Sequence, residues 1–161
     1  MWIASTNTYF EVSQNRKVAK KISRNNWDGL LAEPTFSQKG RQKYSMKILG
    51  FSGNMMIGVA LKSTYLYSGA YSQGSSWMLS SAGYIYYQGS YRSYLDMGRI
   101  GSFLAGDIIT VQVDMDTKVL SFRVNSLTLG PAIRMSISYS DLQNLAPAVD
   151  IYYAGDSVAL L

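Results

Sequence analysis

The sequence predicts an all-β protein folded as a two-layer antiparallel β-sandwich, and three observations predict it. First, residues 106–125, GDIITVQVDMDTKVLSFRVN, read as a hairpin. Ile109, Val111 and Val113 alternate with Thr110, Gln112 and Asp114, and Leu120, Phe122 and Val124 alternate with Ser121 and Arg123. Alternation of period two gives a strand one apolar face and one wet face. Second, short apolar runs recur at close spacing and are punctuated by glycine, the pattern of sandwiches and barrels. Third, helical periodicity is almost absent.

The elements follow in order. Strands are expected at residues 9–12, 18–23, 29–32, 44–49, 55–61, 77–80, 84–87, 107–114, 118–124, 132–137, 148–153 and 157–161. Asn25-Asn26, Gly40, Ser52-Gly53-Asn54, Gly74, Gly83, Gly89, Gly106-Asp107 and Gly155-Asp156 supply the breaks. Glycine reaches left-handed backbone without strain, and Asn and Asp bond turn backbone. Residues 140–145 are a candidate helical turn. Between Lys17 and Ile22, the even spacing of Val18 and Ile22 assigns the lysines to a solvated face. In the 106–125 hairpin, Asp114 is expected to bond the turn backbone, and Asp116 with Lys118 to form a solvated tip.

Composition excludes several chemistries. The chain of 161 residues has no cysteine and no histidine. Disulfides, thiolate metal sites and a Cys nucleophile are therefore absent, and so is a Ser-His-Asp triad. No D-x-D-x-D-G calcium loop occurs, and Gly98, Gly101 and Gly106 form no phosphate-binding loop, so no cofactor or metal is expected. No stretch approaches the roughly 20 apolar residues of a membrane helix. The start, MWIASTNTYFEV, lacks a basic region followed by an apolar one, so the expected location is intracellular and cytoplasmic. Residues 1–100 hold 12 basic and 4 acidic side chains, and residues 101–161 hold 3 and 6. The densest basic piece is Arg16, Lys17, Lys20, Lys21 and Arg24. A strand with a wet lysine face accounts for it better than a nucleic-acid patch does, so nucleic acid is not the expected partner.

From about Phe36 onward the chain resembles the SPRY domain. Tyr44-Ser-Met-Lys-Ile stands where that family opens a core strand with an aromatic residue. Ile57-Gly58-Val59-Ala60 is similar to its "IGVA" strand, and Ser75-Ser76-Trp77-Met78-Leu79 to its "S-W-x-L" strand. Gly83, Tyr87 and Gly89 follow in order. Gly106-Asp107-Ile108-Ile109, Asp114, Leu120-Ser121-Phe122 and Asn125 resemble its "GD-I…D…LSF-x-x-N" signature, and Pro147-Ala148-Val149 its "PAV" strand. Where the family often has Asn-Gly, this chain has Asn125-Ser126. The resemblance implies one SPRY-like domain over residues 1–161, a concanavalin-type jelly roll, with residues 36–161 as the better-matched core. It also implies a module without catalytic residues that binds a peptide or folded protein through loops at one end.

Candidate residues divide into core and surface. Trp77 is assigned to the core, as are Phe122, Val111, Val113, Ile57, Val59 and Val149, by alternation and apolar area. Tyrosine is concentrated in two stretches: Tyr65, Tyr67 and Tyr71, then Tyr84, Tyr86, Tyr87, Tyr91 and Tyr94. Tyr152 and Tyr153 stand before Ala154-Gly155. Tyrosine is amphipathic and loses little entropy on contact, which suits recognition. By order, the family's peptide-pocket positions resemble Tyr67 and Tyr152 to Gly155. The expected partner-binding set is thus Tyr65, Tyr67, Tyr71, Tyr152, Tyr153 and Gly155. The alternative is a lectin-like, carbohydrate-binding sandwich. A glycosidase using Asp114 and Asp116, and RNA binding through Arg16 to Arg24, rank below both.

Overall fold

The computed structural model describes residues 1–4, 7–36, 39–88, 90–93 and 102–161. Gly89, Tyr94, Gly98 and Gly101, singled out above, lie outside them. The first strands are β1 (Phe10–Ser13), β2 (Val18–Lys21), β3 (Asp28–Leu31), β4 (Arg41–Gly50), β5 (Met55–Leu61), β6 (Ser76–Ser80) and β7 (Tyr84–Tyr87). Then come β8 (Ser90–Ser93), β9 (Ile108–Asp114), β10 (Val119–Val124), β11 (Leu127–Arg134), β12 (Leu145–Ile151) and β13 (Ser157–Leu160). They form two antiparallel sheets, one in the order β1-β2-β13-β4-β9-β10-β11 and one in the order β3-β12-β5-β6-β7-β8. The N-terminal strands enter both sheets, β1 and β2 at one edge of the first and β3 at one edge of the second.

The expected hairpin is β9 paired with β10, with Leu120 opposite Val113, Phe122 opposite Val111 and Val124 opposite Ile109. These six side chains are buried and meet Met55, Ile57, Val59, Trp77, Leu79, Val149 and Ile151 of the other sheet. Each such burial stabilises by about 1.5–3 kcal/mol. Asp114 accepts from the amides of Asp116 (3.0 Å) and Thr117 (3.1 Å), as a turn carboxylate should. Those amides hold its carboxyl below the usual value.

The sequence reading needs four corrections. Lys21 is not solvated: the inward side of β2 carries Ala19 and Lys21, both fully buried, while Ile22 is 52% exposed. The strand expected at 132–137 is β11 at Leu127–Arg134. Asn125 takes the left-handed backbone itself (φ 54°), so Ser126 replaces the family's glycine and the chain reverses at once. Pro131 falls where the β10–β11 register breaks, between the pairs Phe122–Leu129 and Leu120–Ile133, a position in an edge strand that tolerates a residue without an amide hydrogen. The hairpin tip is solvated at Asp116 but not fully at Lys118, which is half-buried, donates to the Ile137 carbonyl (2.6 Å) and sits 3.9 Å over the Tyr139 ring. The helical turn expected at 140–145 is α1 (Tyr139–Leu142), capped by the Ser138 side chain, and Leu145 opens β12 instead. The exposed strand β8, which lacks alternation, was not expected.

β5 is buried on both faces. Its inner face meets the sandwich core. Its outer face, with Met56 and Ala60, joins Leu31, Met78 and Ala148 in a second apolar cluster. Residues 62–75 fold over this cluster and add Leu66 and Ala70 to it. A run such as MMIGVAL reads as apolar throughout for that reason.

Candidate functional site

Three polar groups, two buried and one exposed, organise the surface on the outer side of the six-stranded sheet. Lys21 is 0% exposed and pairs with Asp28 at 3.1 Å. Its ammonium also donates to the carbonyls of Asn26, Ile151 and Tyr152. Burial pulls its pKa below the ordinary lysine value, against the opposing pull of Asp28. Asn26 precedes Trp27, so this one cation ties down the segments that carry Trp27 and Tyr152.

Arg24 grips the same Asp28 with two bonds, 3.0 and 2.6 Å. Its guanidinium lies 4.1 Å from the centre of the Tyr9 ring and donates to the Tyr67 carbonyl at 2.8 Å. Arg16 is likewise engaged, with Glu33 at 3.0 Å and the Trp2 carbonyl. The basic cluster seen in sequence is thus largely spent on internal partners.

Asp150 is the third group. Buried on the outer face of β12, it accepts from the amides of Ala70 and Tyr71, both at 2.8 Å. It therefore pins the short 3-10 turn Ala70–Ser72 that presents Tyr71. Gly29 makes room for it, since a Cβ there would lie 2.6 Å from the carboxylate oxygen. Burial raises Asp150 from 3.8 to about 6, outweighing the two amide bonds, which lower it.

A pH dependence follows. Between those two values the folded protein holds a proton that the unfolded chain has released. Raising the pH through this window therefore removes stability, up to about 3 kcal/mol. The difference in urea stability between the parent and Asp150→Asn is expected to change across the window and to level off above it. A difference that stays flat from about pH 4 to pH 7 would show that Asp150 titrates normally.

The expected tyrosines come together in two connected groups. Tyr67 meets Tyr65 (5.9 Å between ring centres) and Tyr9 (5.7 Å). Tyr71 meets Trp27 (5.2 Å), Trp27 meets Tyr152 (5.5 Å), and Tyr152 meets Tyr153 (4.9 Å). Arg24 stands between the groups, through the Tyr67 carbonyl and Asp28. Tyr71 also meets Tyr86, which continues to Tyr91 and Tyr84. Partial burial raises the phenol pKa of Tyr71 and of Tyr86. Gly155 occupies the turn before β13 with φ 99° and donates its amide to the Lys21 carbonyl at 2.7 Å. Nothing lies within 4 Å of a Cβ placed there, so the backbone conformation rather than space calls for glycine.

Sequence reasoning missed Tyr9 and Trp27, and it placed Arg24 in the basic cluster rather than with the tyrosines. Trp27 was the one available signal, as a large aromatic residue directly after the Asn25-Asn26 turn. Trp77, expected in the core, is 2% exposed and lies there.

Compared as a sequence, the chain matches no protein-family model and no curated protein. Compared as a structure, it is similar to the SPRY domain of human HERC1, with a TM-score of 0.78, 18% identity, and 99% of this chain and 96% of that one covered. It is similar to the TRIM65 PSpry domain (TM-score 0.71, 13% identity, 97% and 87% covered). It is also similar to a human SPRY domain (TM-score 0.72, 18% identity, 94% of each chain covered). Two antiparallel sheets, matched over nearly the whole length of these structures, give this protein the SPRY-type β-sandwich fold.

Proposed function

We propose that the chain is a non-enzymatic protein-interaction module. It holds a peptide segment or the surface of a folded partner through loops at one end of the sandwich, as an adaptor or a structural subunit of a larger assembly. Residues 1–161 act as one domain, since β1 and β2 complete one sheet and β3 the other. The observation that carries this reading is the meeting of Tyr65, Tyr67, Tyr71, Tyr152 and Tyr153 around Trp27 and Arg24. Every one of these tyrosines keeps part of its surface in solvent. Lys21, Asp28 and Asp150 hold the segments that carry several of them before any partner arrives, which reduces the ordering cost of binding. SPRY domains are interaction modules, and the fold supports the same role here. The absence of histidine and cysteine, and the engagement of Asp114 by turn amides, support a role without chemistry.

Selection of peptides from a random library against the immobilised chain is expected to return ligands. Tyr65→Ala should weaken their binding by about tenfold, as loss of an anchoring aromatic does. Tyr139→Ala, equally exposed at 59% but elsewhere on the surface, should leave it unchanged. Selection that returns no ligand, or ligands indifferent to Tyr65, Tyr67 and Tyr153, would overturn the reading. A glycan ligand in place of a peptide would favour the lectin-like alternative.

A further inference from the structure

The outer side of the seven-stranded sheet, on the opposite face of the sandwich from the tyrosines, is cationic. Alternation with buried neighbours turns Lys20 of β2, Arg41, Lys43 and Lys47 of β4, Arg123 of β10 and Arg134 of β11 to this side, and all of them are exposed. Register sets them in rows. Arg41 and Asp114 lie level with Val119 and Arg134, Lys43 with Gln112 and Ser121, Arg123 with Thr110 and Ser45, and Lys47 with Ile108. The outward acids on these strands are Glu11, opposite Lys20, and Asp114. Among the described residues, Arg41 is the only one of these cations held in an ion pair, with Asp114 at 3.6 Å. Lysine commonly guards a sheet edge. That role does not account for Lys43 and Lys47, because β4 is the central strand of the seven.

Exposed aliphatic side chains lie at one end of the same sheet. Among the described residues, and apart from Met1 and Leu161, the large ones are Ile22 (52%), Leu49 (43%) and Leu104 (62%). Leu49 is the residue passed over at the bulge between β4 and β13, where Ile48 faces Val158 and Gly50 faces Ser157. The turn from Leu104 to Asp107 is bonded to the backbone beside it. The Gly106 amide donates to the Ile48 carbonyl (2.7 Å), and the Ile48 amide donates to the Asp107 carbonyl (2.9 Å). Asp107 closes this turn by accepting from the Leu104 amide (2.9 Å) and the Asn125 side chain (3.0 Å). Leu104 is thus fixed at the Leu49 end of the sheet. Ile22 follows β2 at that end too, since Lys20 lies level with Ser157 and Ser157 with Gly50.

This arrangement selects among polyanionic partners. A folded protein is met by an apolar centre with a polar rim. Here the cations occupy the centre and the aliphatics one end. A nucleic-acid single strand is held by aromatic stacking beside its charge. No outward position of the described strands of this sheet carries an aromatic side chain. A bilayer accepts both features at once. Anionic headgroups meet a broad cationic face, and protruding aliphatic side chains pass into the boundary with the acyl chains.

We propose that the outer face of the seven-stranded sheet docks on an anionic lipid surface, with Lys20, Lys43, Lys47 and Arg123 at the headgroups and Leu49 and Leu104 inserted at one end. The proposal goes beyond the interaction-module reading and uses the other face of the molecule, so a peptide and a membrane can be held together.

The test is co-sedimentation of the chain with vesicles of phosphatidylcholine containing roughly one third phosphatidylserine, compared with phosphatidylcholine alone. The chain is expected to bind the first and not the second, and to be released as salt is raised. Leu49→Ala with Leu104→Ala should weaken binding by about tenfold, and Lys43→Glu with Lys47→Glu by about tenfold or more. All four side chains are exposed, so both variants should keep the parent's melting temperature. Tyr65→Ala, in the segment over the other sheet, should leave vesicle binding unchanged. No binding to the anionic vesicles, equal binding to both kinds, or binding indifferent to either double variant overturns the proposal. So does binding of polyuridine RNA or a glutamate-rich peptide through Lys43 and Lys47 without binding to vesicles. Library peptides that depend on Tyr65 would leave the interaction-module reading standing in each of those cases.

Discussion

Replacing Lys21 by alanine is expected to lower the unfolding free energy by about 3–5 kcal/mol, the cost of breaking a buried ion pair from one side. The ammonium and the Asp28 carboxylate are both 0% exposed and 3.1 Å apart. Removing the cation leaves Asp28 with Arg24 alone and deprives the carbonyls of Asn26, Ile151 and Tyr152 of their shared donor. Unpaired buried acceptors add their own desolvation cost. The melting temperature should fall by on the order of 10 °C. The loss should also be visible locally, because the Trp27–Tyr152 contact depends on the segments that Lys21 ties together. Acrylamide quenching of tryptophan emission is therefore expected to rise in the folded variant. A variant within about 1 kcal/mol of the parent, by urea unfolding, would show that the pair adds nothing net.

Gly58→Ala is expected to be comparably severe, at about 3 kcal/mol or more, for a steric reason. A Cβ at position 58 would lie 2.0 Å from the Trp77 carbonyl oxygen and 2.9 Å from the Met78 Cα. Both atoms are backbone of the neighbouring strand, so no side chain can swing aside. β5 and β6 would have to part at the centre of the six-stranded sheet, where Gly58 pairs with Met78 on one side and Ala148 on the other. The Tyr44 hydroxyl, which donates to the Gly58 carbonyl, would move with them. Chemical denaturation of the purified variant measures the effect. Parent-like stability would mean that the two strands tolerate a wider spacing than the structure has.

The legible parts of this fold were strands whose two faces differ in polarity and short apolar runs bounded by clear turn residues. β9 and β10 were readable almost residue by residue, and so were β5 and β7 from their flanking turn residues. β8 was not readable, because an exposed edge strand with serine at both ends has no pattern. β2 was misread in its facing: alternation supplied two consistent assignments, and hydrophobicity chose the one that kept lysine wet. The candidate site was half legible. Tyrosine-rich stretches pointed to Tyr65, Tyr67, Tyr71, Tyr152 and Tyr153, but no local pattern connects Trp27 to Tyr152 across the chain.

By itself the amino-acid order determined the layered β architecture, the central hairpin and the absence of histidine and cysteine chemistry, because period-two burial and residue inventory are local properties. Tertiary structure alone decided that Lys21 is an interior cation, that residues 62–75 cover a second apolar cluster, and that seven aromatic rings are joined by successive contacts. The physical reason is that a buried charge, a covered face or a ring-to-ring contact exists only through its partner. Here the partners of Lys21 include carbonyls 130 and 131 residues further along the chain.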